Sequence, residues 1–229
     1  MERLHNGFTL EIGEGCFPLS TDSIALSGFA KLPRQGQVLD LGAGCGTIGL
    51  LLCAKDSTCC VTGIEIDENA HKAALHNIAA NGLEARLGSI HADLRTVTSL
   101  VSPGSFTTCV SNPPYFTAGP QSHSLSIARR EDACSMEDLF TAAGWALKYG
   151  GSFYLVHRPE RFAEICACGC QHHLEPKRVC LLRHHPSAQP NLILVQCQKG
   201  AKPGLIWEEV YLHEADGSPS EYYRNLYHI

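Results

Sequence analysis

The chain has 229 residues, 44% of them hydrophobic and 18% charged, with a formal net charge of −5. That length suits one domain, or one domain with an extension, with a sizeable core. The overall charge argues against a strongly basic nucleic-acid binder, and no apolar run reaches the ~20 residues that span a bilayer. The opening residues 1–15 lack the apolar centre of a signal peptide, so a cytoplasmic protein is expected.

In chain order, residues 8–12 read as a short strand or hairpin, and Thr21-Asp22-Ser23 introduces a capped helix with apolar Ile24, Leu26 and Phe29. A strand is predicted over 37–41, running into Asp40-Leu41-Gly42-Ala43-Gly44-Cys45-Gly46 and a helix over 48–55. A second strand, 59–66, carries Glu65 near its end. It is followed by a helix over 68–81 with Asp67 as N-cap and Gly82 as its stop. Residues 86–92 form a third strand that ends at Asp93 and Leu94. A fourth, 106–110, runs into Ser111-Asn112-Pro113-Pro114-Tyr115-Phe116. A helix over 136–149 and strands over 151–156, 177–183 and 191–198 complete the pattern. Strands alternating with helices predict an α/β fold, a seven-stranded, mostly parallel sheet covered by helices on both faces. A single domain is expected, with 1–36 as an extension, 37–156 as the cofactor-binding and catalytic core, and 157–229 completing the sheet.

Charge is unevenly spread: residues 1–156 carry net −5, 157–202 net +4 and 203–229 net −4. The basic tract, which also holds five histidines, is either a solvated face or a phosphate-facing edge. Twelve cysteines lie scattered through apolar segments and are expected as reduced, buried hydrophobes. The Cys166-Ala-Cys168-Gly-Cys170-Gln-His172-His173 stretch has metal-capable side chains but not the paired C-x₂-C spacing of a closed zinc site, so no metal is expected.

Glycines at a strand-to-helix turn let the backbone approach a ligand, and the helix N-terminus offers free N–H groups. Gly44 to Gly49 satisfies G-x-G-x-x-G, a weak signal alone. Glu65 at the second strand's end is placed to grip the hydroxyls of a ribose, which points to a nucleoside-containing cofactor. Asp93 reads equally as a cofactor contact or a helix N-cap. A nicotinamide dinucleotide and S-adenosylmethionine both fit so far. Asp40, ahead of the glycines, favours the second, because it can orient the loop or meet the amino-acid part of that cofactor.

The Asn-Pro-Pro-Tyr turn favours it more. An adenine amine or a glutamine amide is a poor nucleophile because its lone pair is delocalised. Two acceptors on its two N–H bonds, the Asn112 side-chain oxygen and the Pro113 carbonyl, draw that pair out of conjugation. The prolines, Pro114 included, keep the turn rigid, while Tyr115 and Phe116 offer rings for a flat target.

At these residues the sequence resembles the class I S-adenosylmethionine-dependent methyltransferases that carry N-P-P-Y. Within them it resembles the bacterial tRNA adenine-N6 methyltransferases that modify the adenine beside the anticodon of a valine tRNA. The likeness extends through Thr21-Asp22, Gly63-Ile64-Glu65, Asn81-Gly82-Leu83, Ala128-Arg129-Arg130-Glu131, His157-Arg158-Pro159-Glu160-Arg161, Glu175-Pro176-Lys177-Arg178, Gln198-Lys199-Gly200 and Glu221 to Tyr227. The resemblance implies a Rossmann-like fold with Gly42, Gly44, Gly46, Glu65, Asp93 and the Leu94 main chain on the cofactor. It also implies Asn112, Pro113 and Tyr115 on the target amine, and Arg158, Arg161, Lys177 and Arg178 as candidates for RNA phosphates. The cysteine-rich stretch departs from that pattern.

Three rivals remain. A glutamine-N5 protein methyltransferase uses the same amine chemistry, but those enzymes carry a helical substrate domain ahead of the glycine loop, where only 36 residues precede Gln37. A DNA or ribosomal-RNA adenine methyltransferase shares the motif. A non-catalytic cofactor-binding module is the third.

Overall fold

The computed structural model describes residues 2–4, 7–13, 16–114 and 134–229. Its strands are β1 (Glu2–Arg3), β2 (Thr9–Leu10), β3 (Gln37–Leu41), β4 (Cys60–Glu65), β5 (Leu87–His91), β6 (Phe106–Ser111), β7 (Leu147–His157), β8 (Leu174–Arg183), β9 (Leu192–Lys199) and β10 (Ile206–Tyr211). Helices are α1 (Thr21–Phe29), α2 (Thr47–Lys55), α3 (Glu68–Ala80), the single turn α4 (Val97–Leu100), α5 (Met136–Ala146), α6 (Phe162–Gln171) and α7 (Glu221–Tyr227). The main sheet has the order β10-β8-β9-β7-β6-β3-β4-β5, and only β9 pairs antiparallel.

Period-two alternation explains the two layers. Val38 faces one apolar cluster, with Leu26 and Phe29 of α1, Leu50 to Leu52 of α2 and Ile78 of α3. Leu39 and Leu41 face the other, with Leu139, Phe140 and Ala143 of α5 and Ile165 of α6. The helices therefore cover both faces, as the alternation of elements requires.

The sheet has eight strands, one more than predicted. β10 escaped the pattern because it is an edge strand, with Ile206 and Trp207 59% and 55% exposed, so no buried face imposes alternation. The helix predicted over 136–149 stops at Ala146, where β7 begins. Leu147 is wholly buried and pairs with Phe106, which draws the chain into the sheet before Gly150. Asp67 caps α3 as predicted, accepting from the N–H of Asn69 and Ala70, and Gly82 ends that segment at φ +63°. The cap of α1 is Ser20, one residue ahead of the predicted trio. The cysteine-rich stretch is the end of α6, with Cys168 buried and Cys170 exposed. No three metal-capable side chains converge among the described residues. No helix among them is long and apolar enough to cross a membrane.

Two asparagines, Asn77 of α3 and Asn81 at its C-cap, hold the N-terminal segment. Asn81 Oδ1 accepts from Thr9 N–H at 2.8 Å, while its Nδ2 donates to Thr9 O at 2.8 Å. Asn77 does the same for Glu11 at 2.8 and 2.9 Å, and its Nδ2 also donates to Cys45 O at 3.0 Å. Each amide thus replaces a missing strand partner, and Asn77 ties this segment to the glycine loop. Asn77 is 1% exposed, so its loss strands main-chain groups away from water. Asn77→Leu should lower unfolding free energy by about 2–4 kcal/mol, read as a lower urea midpoint with an unchanged denaturant slope.

Candidate active site

The carboxyl ends of β4, β3 and β6 meet at one level. Leu41 pairs with Ile64 on one side, and Asp40 pairs with Val110 on the other. One step further, Glu65, Gly42 and Asn112 form a row across three adjacent strands. Strand spacing sets Glu65 and Asn112 about 10 Å apart. Ser111, wholly buried, locks the row by donating from Oγ to Leu41 O at 2.8 Å.

The glycine loop is strapped down on β4. Gly42 and Ala43 N–H donate to Ile64 O at 3.0 and 3.1 Å. Gly42, Gly44 and Gly46 have φ of +75°, +57° and +84°, a region side chains disfavour. A Cβ on Gly42 or Gly44 would meet nothing within 4 Å among the described residues, which leave the space above the loop open. A Cβ on Gly63 would come 2.6 Å from that of Ala43, which is why the second strand tolerates no side chain beneath the loop.

Glu65 braces both edges of this space. One carboxylate oxygen accepts from Gly44 N–H at 2.7 Å, the other from Asp67 N–H at 2.8 Å. Asp40 is 1% exposed, and neither carboxylate oxygen has a hydrogen-bond partner among the described residues. Burial, then the neighbouring Glu65 charge, pushes its pKa up to about 7. It borders a small space under the loop, lined by Gly46, Gly63, Ala74 and Gly88, with room for about one water molecule.

Asp93 caps the 3₁₀ turn at Leu94–Thr96. Its Oδ1 accepts from Arg95 N–H at 2.9 Å, and Arg95 Nε lies 3.0 and 2.8 Å from its two oxygens. The guanidinium holds this carboxyl below its usual range. The N-cap role is therefore present, and Leu94 is buried beneath the turn.

Asn112 is half-buried, Pro113 buried and Pro114 half-buried. The Asn112 Nδ2 donates to Ser23 Oγ at 3.0 Å across 89 residues of sequence. That contact leaves the side-chain carbonyl as the end of the amide without a partner among the described residues. Ser23 is 7% exposed on the first turn of α1, and Lys55 anchors the far end of that helix by donating to the carbonyls of Ser27, Gly28 and Ala30 at 2.7–3.0 Å. Sequence reasoning missed Ser23, whose only signal was a polar residue on the buried side of an apolar helix. Tyr115, Phe116 and residues 128–131 lie outside the described residues.

The four cationic candidates all have partners within the fold. Arg178 is 14% exposed, paired with Glu208 at 3.1 Å, with its guanidinium 4.3 Å over the Phe29 ring. Arg161 pairs with Glu164. Lys177 donates to Lys202 O at 2.9 Å, and Arg158 to Asn191 O at 3.0 Å. The fold itself thus occupies Arg178, an aspect no count of charges along the chain foretells.

Residues 22–165 match the model of the methyltransferase small domain, well over half of the chain. The chain belongs to that family and is a methyltransferase. A tRNA1(Val) (adenine(37)-N6)-methyltransferase of Aeromonas hydrophila is 28% identical over 211 residues, 91% of this chain and 87% of that one. One of the same name from Shewanella sp. (strain W3-18-1) is 33% identical over 60% of this chain and 59% of its own length. Among solved structures, a predicted O-methyltransferase from Agrobacterium tumefaciens superposes with a TM-score of 0.75 at 21% identity, over 91% of this chain and 96% of that one. A geranyl diphosphate C-methyltransferase from Streptomyces coelicolor, crystallised with S-adenosyl-L-homocysteine, gives 0.59 at 10% identity, over 77% and 76%. These likenesses establish the Rossmann-like methyltransferase fold.

The buried carboxyl gives a checkable pH dependence. Its folded pKa, about 7, lies above the ordinary 3.8, so the folded state holds a proton that the unfolded chain has released. This contribution to stability is full below pH 3.8 and lost as pH rises to about 7. Asp40→Asn should flatten that fall in thermal midpoint, relative to wild type, across the same window.

Proposed function

We propose that this enzyme transfers a methyl group from S-adenosylmethionine to N6 of an adenine in RNA, with a tRNA as the carrier. The observation that carries the reading is the oriented Asn112 amide, held by Ser23 in the same row as Gly42 and Glu65. The relatives named as tRNA adenine-N6 methyltransferases, at 26–33% identity, support this carrier over protein glutamine or DNA.

The residues fit the cofactor. Gly42 and Gly44 leave an open cradle, Gly46 instead packs against Ala74, Glu65 ends its strand at the ribose position, and Asp40 is a buried carboxyl without a partner among the described residues, suited to a cationic ammonium. Asp93 and the Leu94 main chain are assigned to the adenine end; Asp93 already holds Arg95 there. When bound, the cofactor supplies a methyl group on a positively charged sulfur.

The chain's own residues then act on the amine. Asn112 Oδ1 and the Pro113 carbonyl each accept one N–H of the target. With both N–H bonds fixed, the nitrogen is drawn toward tetrahedral geometry and its lone pair out of conjugation with the base. Ser23 fixes the amide so that its carbonyl, not its NH₂, faces the target. The amine gives up its proton during or after transfer, so no strong base is needed. Pro114 stiffens the turn, and Tyr115 and Phe116 are assigned to stacking on the base. Arg158, Arg161 and Lys177 stay candidates for phosphate contacts, with Arg178 the weakest of the four because it is already paired and largely buried.

Incubation with radiolabelled S-adenosylmethionine and total bacterial tRNA, followed by nucleoside mass spectrometry, should yield N6-methyladenosine. Label in protein glutamine or in DNA, with none in tRNA, would overturn the reading. Asn112→Ala should lower kcat at least a hundredfold on the order expected for lost positioning, with cofactor affinity by calorimetry unchanged. Ser23→Ala should cost on the order of tenfold in kcat while cofactor affinity and melting temperature hold. An equal fall in melting temperature would assign Ser23 to stability alone.

A further inference from the structure

We propose that the ends of β8 and β10 form a wall beside the active site that stacks the bases flanking the target adenine. The inference rests on the reading of the substrate as structured RNA and adds where that RNA lies. Register fixes the wall's height. Ser111, the last residue of β6, is level with Leu155, then Val195, Val179 and Trp207 across the sheet. β8 and β10 each run four residues beyond that level, to Arg183 and Tyr211. The row that holds Asn112 lies one residue above that level, so both strands rise three residues, about 10 Å, above it.

A run of rings lines this overhang. His185 and His184 lie 5.9 Å apart, His184 and His213 4.8 Å, His213 and Tyr223 5.2 Å, and Tyr223 stacks on Tyr227 at 4.4 Å. The His213 N–H donates to His184 O at 2.9 Å, which joins the two strand extensions at the point where the rings meet. His184 is exposed and the other four rings are half-buried, so the upper end of the run is open to a ligand. The foot of the run reaches the site itself. Tyr227 Oη and Thr21 Oγ1 are 2.9 Å apart, and Thr21 shares the first turn of α1 with Ser23, the residue bonded to Asn112.

The chemistry fits a nucleic-acid loop. An adenine taken out of its stack to meet Asn112 leaves its neighbours with bare faces. Flat imidazole and phenol rings cover such faces whatever the base, whereas phosphates call for unpaired cations. Here Arg183, the last residue of β8 at the top of the overhang, is bonded to Glu209 and to Ala188 O, so rings and not free arginines form the open edge.

The test compares His184→Ala/His185→Ala with His184→Phe/His185→Phe in steady-state methylation of total bacterial tRNA. The alanine pair should raise KM for tRNA on the order of tenfold, leaving cofactor affinity, melting temperature and the salt dependence of tRNA binding as in wild type. The phenylalanine pair should stay within about threefold of wild type, because the stacking face is kept. An unchanged KM in the alanine pair, or equal loss in both pairs, would overturn the wall. A wild-type enzyme that methylates no tRNA would instead remove the substrate reading on which the wall rests.

Discussion

Parallel pairing of β4, β3 and β6 sets three chemically different strand ends at one height, and each remaining part of the site is referred to that height. Side chains alternate along a strand, so a slip of one residue in β6 would put Ser111 where Asn112 stands and turn the amide to the opposite face. The fold guards against such a slip with a buried hydroxyl, Ser111 Oγ on Leu41 O, placed at the last position before both functional loops depart. The glycine loop and the Asn-Pro-Pro turn therefore leave the sheet side by side. Their separation follows from strand spacing and does not depend on either loop's own stiffness.

A second set of contacts brings in elements from outside the sheet. Lys55 at the end of α2 gathers three carbonyls at the end of α1, and burial lowers its pKa. That clamp holds α1 against the sheet, so that Ser23 meets Asn112. Asn77 links the N-terminal segment to Cys45 in the glycine loop. One amide contact on each side thus ties the chain's first thirty residues to both halves of the site. These residues act as a brace for the α/β core, which explains why an extension with little secondary structure bears on chemistry.

Charge illustrates how tertiary pairing overrides a linear reading. The +4 tract and the −4 tract that follows look like separate surfaces in the sequence. β10 lies parallel beside β8, and that placement sets Glu208 against Arg178 and Glu209 against Arg183. Two of the arginines are thereby neutralised across the strand pair. What stays open at that edge is a set of rings drawn from three places in the chain: His184 and His185, His213, and the tyrosines of α7.

Much of this architecture was legible in the residues. Strand 37–41, the Asp67 cap, the Gly82 stop and the location of the glycine loop and the Asn-Pro-Pro turn at strand ends all follow from local rules of backbone conformation, side-chain size and periodicity. β10, the early end of α5, the contacts of Asn77 and Asn81, Ser23 and the ring wall do not. The first two depend on which strand has a neighbour. The others are polar or aromatic side chains whose meaning lies in partners as far as 206 residues away. The sequence by itself determined the kinds of element and the chemistry carried at the ends of β3, β4 and β6, because those rest on short-range sterics and hydrogen bonding. Only the tertiary structure decided which groups orient the amide and which arginines are already paired, because such contacts arise when distant segments are packed together and leave no local trace.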